Sequence, residues 1–325
     1  MLLDIVMLLG GGTLLYFGAE WLVAGAAGLA RSFGVPSLLV GLTVVAYGTS
    51  MPEVIVGVQA AAGGYGALAL GNVLGSNVAN LGLILGLAAL VSPAKIDGAL
   101  PKREVPVLVV SALLTPLLLL DGRVQVWEGV VLVALAIGYT AWMVRTARSA
   151  AVAEASEAAE VTAEAADVAG APEPRGGRLR LAGLAVVGLV VLSLGGHLLV
   201  EGAVGIATAV GMSERLVGLT IVAVGTSLPE LATSLIAARR GHSDIAVGNV
   251  IGSNIFNVLL CLGGASIVGG IDAPIRSVAV DLGAMLAFTL VGAVMMRSAR
   301  TVTRVEGGIL AAGYVAFLTS LVLLG

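Results

Sequence analysis

Apolar residues run along the chain in ten stretches, at 3–27, 36–61, 66–91, 104–120, 125–144, 181–207, 214–238, 244–270, 277–297 and 305–324. Charged residues gather between these runs and rarely alternate within them. A helix of about 20 apolar residues crosses the roughly 30 Å hydrocarbon layer of a bilayer. The pattern therefore predicts an all-α polytopic membrane protein with ten transmembrane helices. The first run has Asp4 where a secretory signal would carry basic residues, so it is expected to span and not to be cleaved. One stretch breaks the pattern. Residues 149–178 are first rich in Ala and Glu, then in Pro and Gly (APEPRGG). Such a segment is either a surface helix or a solvated linker. It divides the chain into 1–148 and 179–325, with five spans each.

Composition supports the same class. Mean hydropathy is +1.06, and only 11% of residues are charged, against about 25% in soluble domains. A soluble protein of this length would lack the charge to cover its surface. The net charge of -3 offers no basic face for nucleic acid. The single cysteine, Cys261, rules out an internal disulfide and a multi-cysteine metal centre. It is expected to serve packing. No obligate protein partner is evident from the sequence. With the N-terminus placed outside, 14 of the 17 Lys and Arg residues fall in inside loops. This bias predicts that both termini face out of the cytoplasm and that the 149–178 segment faces in. The expected location is the plasma or inner membrane.

An offset of 177 residues lays one half on the other. Leu39–Glu53 (LVGLTVVAYGTSMPE) and Leu216–Glu230 (LVGLTIVAVGTSLPE) match at 12 of 15 positions. Gly71–Asn80 (GNVLGSNVAN) and Gly248–Asn257 (GNVIGSNIFN) match at 7 of 10. Five spans per half send the second half into the membrane from the opposite side. The halves are thus inverted repeats, an architecture typical of secondary transporters, with the substrate site near the midplane between repeats. A duplicated channel is the competing reading.

The repeated motifs carry the chemistry. Glu53 and Glu230 lie inside the second and seventh spans. A carboxylate in hydrocarbon needs a partner or an ion. Two of them facing across a pseudo-two-fold suit a divalent cation, and protons compete for the same oxygens. Each follows a proline, in Thr49-Ser50-Met51-Pro52-Glu53 and Thr226-Ser227-Leu228-Pro229-Glu230. Proline removes a helix hydrogen bond, so carbonyls of residues 46–50 and 223–227 are expected to open toward a cation. A bare proline kink, with Thr and Ser satisfying freed backbone groups, is the plainer alternative. Ser76, Asn77, Asn80, Ser253, Asn254 and Asn257 share one face of their helices and add oxygens of the kind hard cations prefer. Some of these would act as helix–helix glue. Asn72 and Asn249 stand nearer the helix starts and read as caps. His197 and His242 read as local hydrogen-bonding residues, and Glu20 and Glu201 as access-path or interfacial acids. Asp281 stands near the start of the ninth span. A membrane hydrolase would need Ser–His or twin-Asp groups, which are not evident, so no enzyme is expected. A scaffold would have no reason to bury two duplicated acids.

At these residues the chain resembles the sodium/calcium exchangers of the cation/calcium antiporter superfamily, prokaryotic members in particular. The resemblance covers nearly the whole chain. It is strongest at Gly41–Glu53 with Gly71–Asn80, and at Gly218–Glu230 with Gly248–Asn257. It implies an antiporter exchanging Ca²⁺ for Na⁺, with no cofactor beyond the transported ions. A proton-coupled exchanger of the same fold is the alternative. By the same resemblance Glu53 and Glu230 bind calcium. Ala46, Thr49, Ser50 and Ser76 carry sodium, with Ala223, Thr226, Ser227 and Ser253, while Asn77 and Asn254 join the cluster. The first and sixth helices would slide against a rigid core. Some relatives pair an Asn with an Asp at the last polar position, where this chain has Asn80 and Asn257. That departure makes potassium dependence less expected. The linker is too short for a large calcium-sensing domain.

Overall fold

The computed structural model describes residues 1–95, 100–162, 175–211, 223–298 and 301–324. Ten helical segments order the described residues. They are α1 (Leu2–Phe33), α2 (Ser37–Thr49 and Met51–Ala62), α3 (Gly66–Val91), α4 (Leu100–Leu118) and α5 (Val126–Thr162). The second half holds α6 (Arg175–Ala209), α7 (Ala223–Gly225 and Leu228–Arg239), α8 (Ser243–Gly269), α9 (Ala279–Ser298) and α10 (Arg304–Leu324). Six of these are long and apolar enough to cross a membrane, and α2 taken as one span makes seven. Helices α4, α7 and α10 occupy the other three apolar runs. Residues 214–222 of the seventh run lie outside the described residues. Helix α5 continues to Thr162. The first part of the expected linker is thus an extension of the fifth span, as its Ala/Glu composition permits, and 163–174 lie outside the described residues.

The turns repeat with the helices. Between α2 and α3 the chain reverses at Gly64 (φ 80°), and between α7 and α8 at Gly241 (φ 79°). These positions are 177 residues apart, and both need the left-handed conformation that glycine adopts without penalty.

Among the described residues, four two-residue strands tie the halves together. β1 (Ala94–Lys95) pairs antiparallel with β4 (Thr301–Val302), and β2 (Arg123–Val124) with β3 (Ile271–Asp272). Shifted by 177, β1 falls on β3 and β2 overlaps β4, so the two pairs are images of one another under the pseudo-two-fold. Helices α3 and α8 fill the middle. Within their most apolar stretches 78% and 94% of the residues are buried inside the protein. Helices α1 and α6 lie outside as an antiparallel pair. Their glycines let the backbones touch: a Cβ on Gly18 would lie 2.4 Å from the Leu192 amide, and one on Gly188 2.4 Å from that of Leu22.

Candidate functional site

The site begins with a break in each second helix. In α2 the α-helical turn 46–49 ends at Ser50 (φ -85°, ψ 1°), and the helix restarts at Met51 with Pro52 in its first turn, bent by 42°. In α7 the same residue types act at Ser227 (φ -90°, ψ 9°) and Pro229. Proline has no amide to donate, yet its fixed φ suits a helix start. The chain therefore kinks over one residue in α2 and two in α7, without unwinding a whole turn. The expected release of carbonyls is correspondingly narrower. The Ala46 carbonyl accepts the Ser50 amide at 3.0 Å, and the Ser50 carbonyl accepts that of Val54 at 3.2 Å. In α7 the Ser227 carbonyl accepts the Leu231 amide at 3.0 Å. Each oxygen keeps a second lone pair. Ala223 stands at the start of the described part of α7.

Restarting the helix at the proline puts Glu53 and Glu230 in its first turn. There the helix dipole favours negative charge. Both acids are 1% exposed.

Hydrogen bonds then cross between repeats in matched pairs. Ser50 donates to Glu230 Oε1 at 3.0 Å, and Ser227 to Glu53 Oε1 at 3.4 Å. Ser50 meets Ser253 at 2.9 Å, and Ser227 meets Ser76 at 3.5 Å. Asn72 donates to the Glu53 carbonyl at 3.2 Å, and Asn249 to the Glu230 carbonyl at 3.5 Å. The two short motifs of each repeat thus meet those of the other at one buried locus. Asn72 and Asn249 are not caps, as read from the sequence, but ties from α3 and α8 to the broken helices. Their carboxamides point sideways to a carbonyl that the kink leaves within reach.

The pairing is not complete. Thr49 donates to Asn249 Oδ1 at 3.2 Å, whereas Thr226 Oγ1 is buried without a partner. Asn257 donates to Asn77 Oδ1 at 3.2 Å, while Asn254 turns to the Val250 carbonyl at 2.7 Å. Glu53 Oε2, Glu230 Oε2, and the Oδ1 atoms of Asn80, Asn254 and Asn257 are also buried without a donor. Leaving one such atom unsatisfied costs about 1–3 kcal/mol, more for a charged group. Orphaned acceptors, two of them on acids, suit a cation or protons as partners. An oxygen-only donor set fits hard cations, which take six to eight oxygens in the case of calcium.

Other residues fall elsewhere. Cys261, expected to serve only packing, donates its thiol to the Glu53 carbonyl at 3.1 Å, because α8 crosses directly behind the restarted part of α2. Glu20 is held by Arg240 through two hydrogen bonds of 2.5 and 3.2 Å. His197 and Glu201 face each other at 3.6 Å on the exposed side of α6. Asp281 is half-buried. Sequence reasoning missed Ser234, fully buried and bonded to Asn249 at 3.0 Å. Its repeat partner is Gly57, and that mismatch was the available signal. It also missed Glu104, a buried acid to which Tyr139 donates.

Comparison with known proteins gives one answer. The family profile described as "Sodium/calcium exchanger protein" matches residues 3–145 and 180–323. The inner membrane protein YrbG of Escherichia coli is 36% identical over 323 residues, covering 99% of this chain and 97% of its own. The sodium/calcium exchanger MaX1 of Methanosarcina acetivorans is 30% identical over 279 residues, 78% of this chain and 80% of its own. The solved structure of the sodium-calcium exchanger NCX_Mj superposes with a TM-score of 0.84 at 31% identity, covering 99% of both chains.

Proposed function

The chain belongs to the sodium/calcium exchanger protein family, which makes it a multi-pass membrane cation antiporter and not an enzyme, and from that premise we propose that it exchanges Ca²⁺ for Na⁺ by alternating access. One observation carries the reading. Two buried acids, each with an unpartnered Oε2, stand in a shell of oxygen donors supplied by both repeats. A divalent cation neutralises the pair and satisfies the orphaned oxygens together. Calcium is assigned to Glu53 and Glu230, with Asn77, Asn80, Asn254 and Asn257 as supporting oxygens. Sodium is assigned to the hydroxyls of Thr49, Ser50, Ser76, Thr226, Ser227 and Ser253 and the carbonyls of Ala46 and Ala223. The named exchangers among its relatives support the ion pair.

The same acids favour a second reading, since protons can satisfy an unpartnered Oε2 as well as a metal can. On that reading the driving ion is H⁺ and the calcium site is unchanged. The basic-loop bias supports an orientation with both termini outside, and YrbG's inner-membrane location supports the same membrane here.

Sealed vesicles loaded with Na⁺ and diluted into Na⁺-free buffer test the proposal through ⁴⁵Ca²⁺ uptake. Matched vesicles carry a pH gradient without Na⁺. Uptake under the Na⁺ gradient alone, lost in both E53Q and E230Q, is expected. Uptake under the pH gradient alone moves the protein to the proton-coupled reading. No calcium flux under either gradient, from protein shown to be folded, rejects calcium as the substrate.

A further inference from the structure

The two repeats secure the main chain behind their glutamates with different atoms. In the second repeat, Asn249 reaches both the Glu230 carbonyl at 3.5 Å and the Ser234 hydroxyl at 3.0 Å. In the first, Asn72 reaches the Glu53 carbonyl at 3.2 Å. The residue equivalent to Ser234 is Gly57, which has no side chain to offer. The other repeat fills the space. A Cβ on Gly57 would lie 2.9 Å from Cys261 Sγ, and that thiol donates to the Glu53 carbonyl at 3.1 Å. The position equivalent to Cys261 in the first repeat is Ile84, which has nothing to donate. In the second repeat a hydroxyl accepts from the asparagine that holds the carbonyl, and in the first a thiol donates to the carbonyl itself. The thiol is fully buried, and the carboxyl group on the same residue as its acceptor is 1% exposed with Oε2 unpartnered.

We propose that Cys261 is a positioning residue for Glu53. Its S–H holds the carbonyl at the first turn of the restarted part of α2, and so fixes where the Glu53 carboxylate meets the cation. Carbonyl and side chain leave the same residue, so a rotation of that peptide swings the carboxylate. A helix carbonyl that accepts an extra side-chain donor shares itself with its own helical bond, which tilts the peptide outward. Removing the thiol leaves Asn72 donating to that carbonyl and frees the space beside Gly57. The inference rests on Glu53 being a cation ligand.

Two measurements test it. The chain has one cysteine, so its S–H stretching band in the infrared comes from Cys261 alone. In reconstituted protein the band is expected at the position of a hydrogen-bonded thiol and to shift when Ca²⁺ or Sr²⁺ is added. A band at the free-thiol position overturns the inference whether or not the protein exchanges Na⁺ for Ca²⁺, and so does an unresponsive band in protein shown to bind either cation. The second measurement is ⁴⁵Ca²⁺ uptake by variants. C261A is expected to raise the KM for Ca²⁺ by about three- to tenfold, the equivalent of one hydrogen bond, with little change in maximal rate. C261S restores the donor and the KM. The double variant C261A/G57S gives Asn72 the hydroxyl partner that Ser234 gives Asn249, and is expected to recover part of the KM by steadying the remaining donor to the Glu53 carbonyl. A C261A protein with wild-type KM, or a loss that C261S does not recover, refutes the positioning role. Absence of calcium flux in the wild type refutes the antiport reading instead, and the infrared band then decides the thiol's role by itself.

Discussion

Helices α3 and α8 are buried over 78% and 94% of their most apolar stretches, whereas α1 and α6 are buried over 22% and 28%. The difference extends to how each pair is held. Helix α8 sends Asn249, Ser253 and Asn257 into hydrogen bonds with the opposite repeat. Helix α1 meets α6 through glycine backbone contacts at Gly11, Gly18 and Gly25. Directional bonds lock a geometry, because each donor has one partner in one place. Smooth contact between glycine faces has no such preferred register. The inner pair is therefore suited to hold its oxygens in one arrangement. Side chains at the candidate site are at most 3% exposed for Thr49, Ser50, Ser76, Ser227 and Ser253, so on the proposed function an ion would leave only when a flanking element shifts.

Five substitutions break or sharpen this contrast. The largest effect is expected at the paired acids beside the inner helices. E53Q or E230Q should cut ⁴⁵Ca²⁺ binding by at least about 100-fold, since a divalent cation then faces a single buried charge. Equal binding by wild type and both variants would show that the buried oxygens serve structure alone. Next comes the outer pair. G18V places atoms where a Cβ alone already comes within 2.4 Å of the Leu192 amide. Exchange rate should drop by about tenfold or more as α1 separates from α6, while equilibrium Ca²⁺ binding changes by about twofold at most. Parallel loss of binding and rate would erase the distinction between the pairs. A milder effect is expected from N257D, which adds an acid beside Asn77. A third carboxylate should lower the KM for Ca²⁺ by about threefold, read from uptake at graded calcium. A raised KM would show that the neutral amide is the better donor there. The smallest change belongs to R240Q, which removes the Glu20–Arg240 ion pair between α1 and the end of α7. Arg240 is 60% exposed, so the pair contributes on the order of 1 kcal/mol or less, and exchange should change by about threefold at most.

Much of this site was legible in the linear chain, for an identifiable reason. The duplicated TS-x-PE and GSN motifs stand at a fixed offset, so the residues that meet could be named before any contact was seen. The proline break and the glutamates just after it follow from local chemistry. Details that depend on side-chain direction were not legible. Asn72 and Asn249 looked like helix caps from their place in the sequence, and only the crossing of α3 and α8 behind the kinks turned them toward carbonyls. The extent of the kink was also overestimated. A proline removes one donor, and the neighbouring amides of Ser50 and Val54 still find their carbonyls.

By itself the sequence determined the membrane class, the repeat, its inversion and the chemical identity of the buried oxygens. These depend on hydropathy, residue counts and local motifs, all of which survive in one dimension. The tertiary structure alone decided which repeat completes which half of the site. Ser50 serves Glu230 from 180 residues away, and Cys261 reaches Glu53 across 208. No local pattern encodes such a partner. It is fixed by the angle at which two helices cross, and that angle is set by the packing of every helix around them.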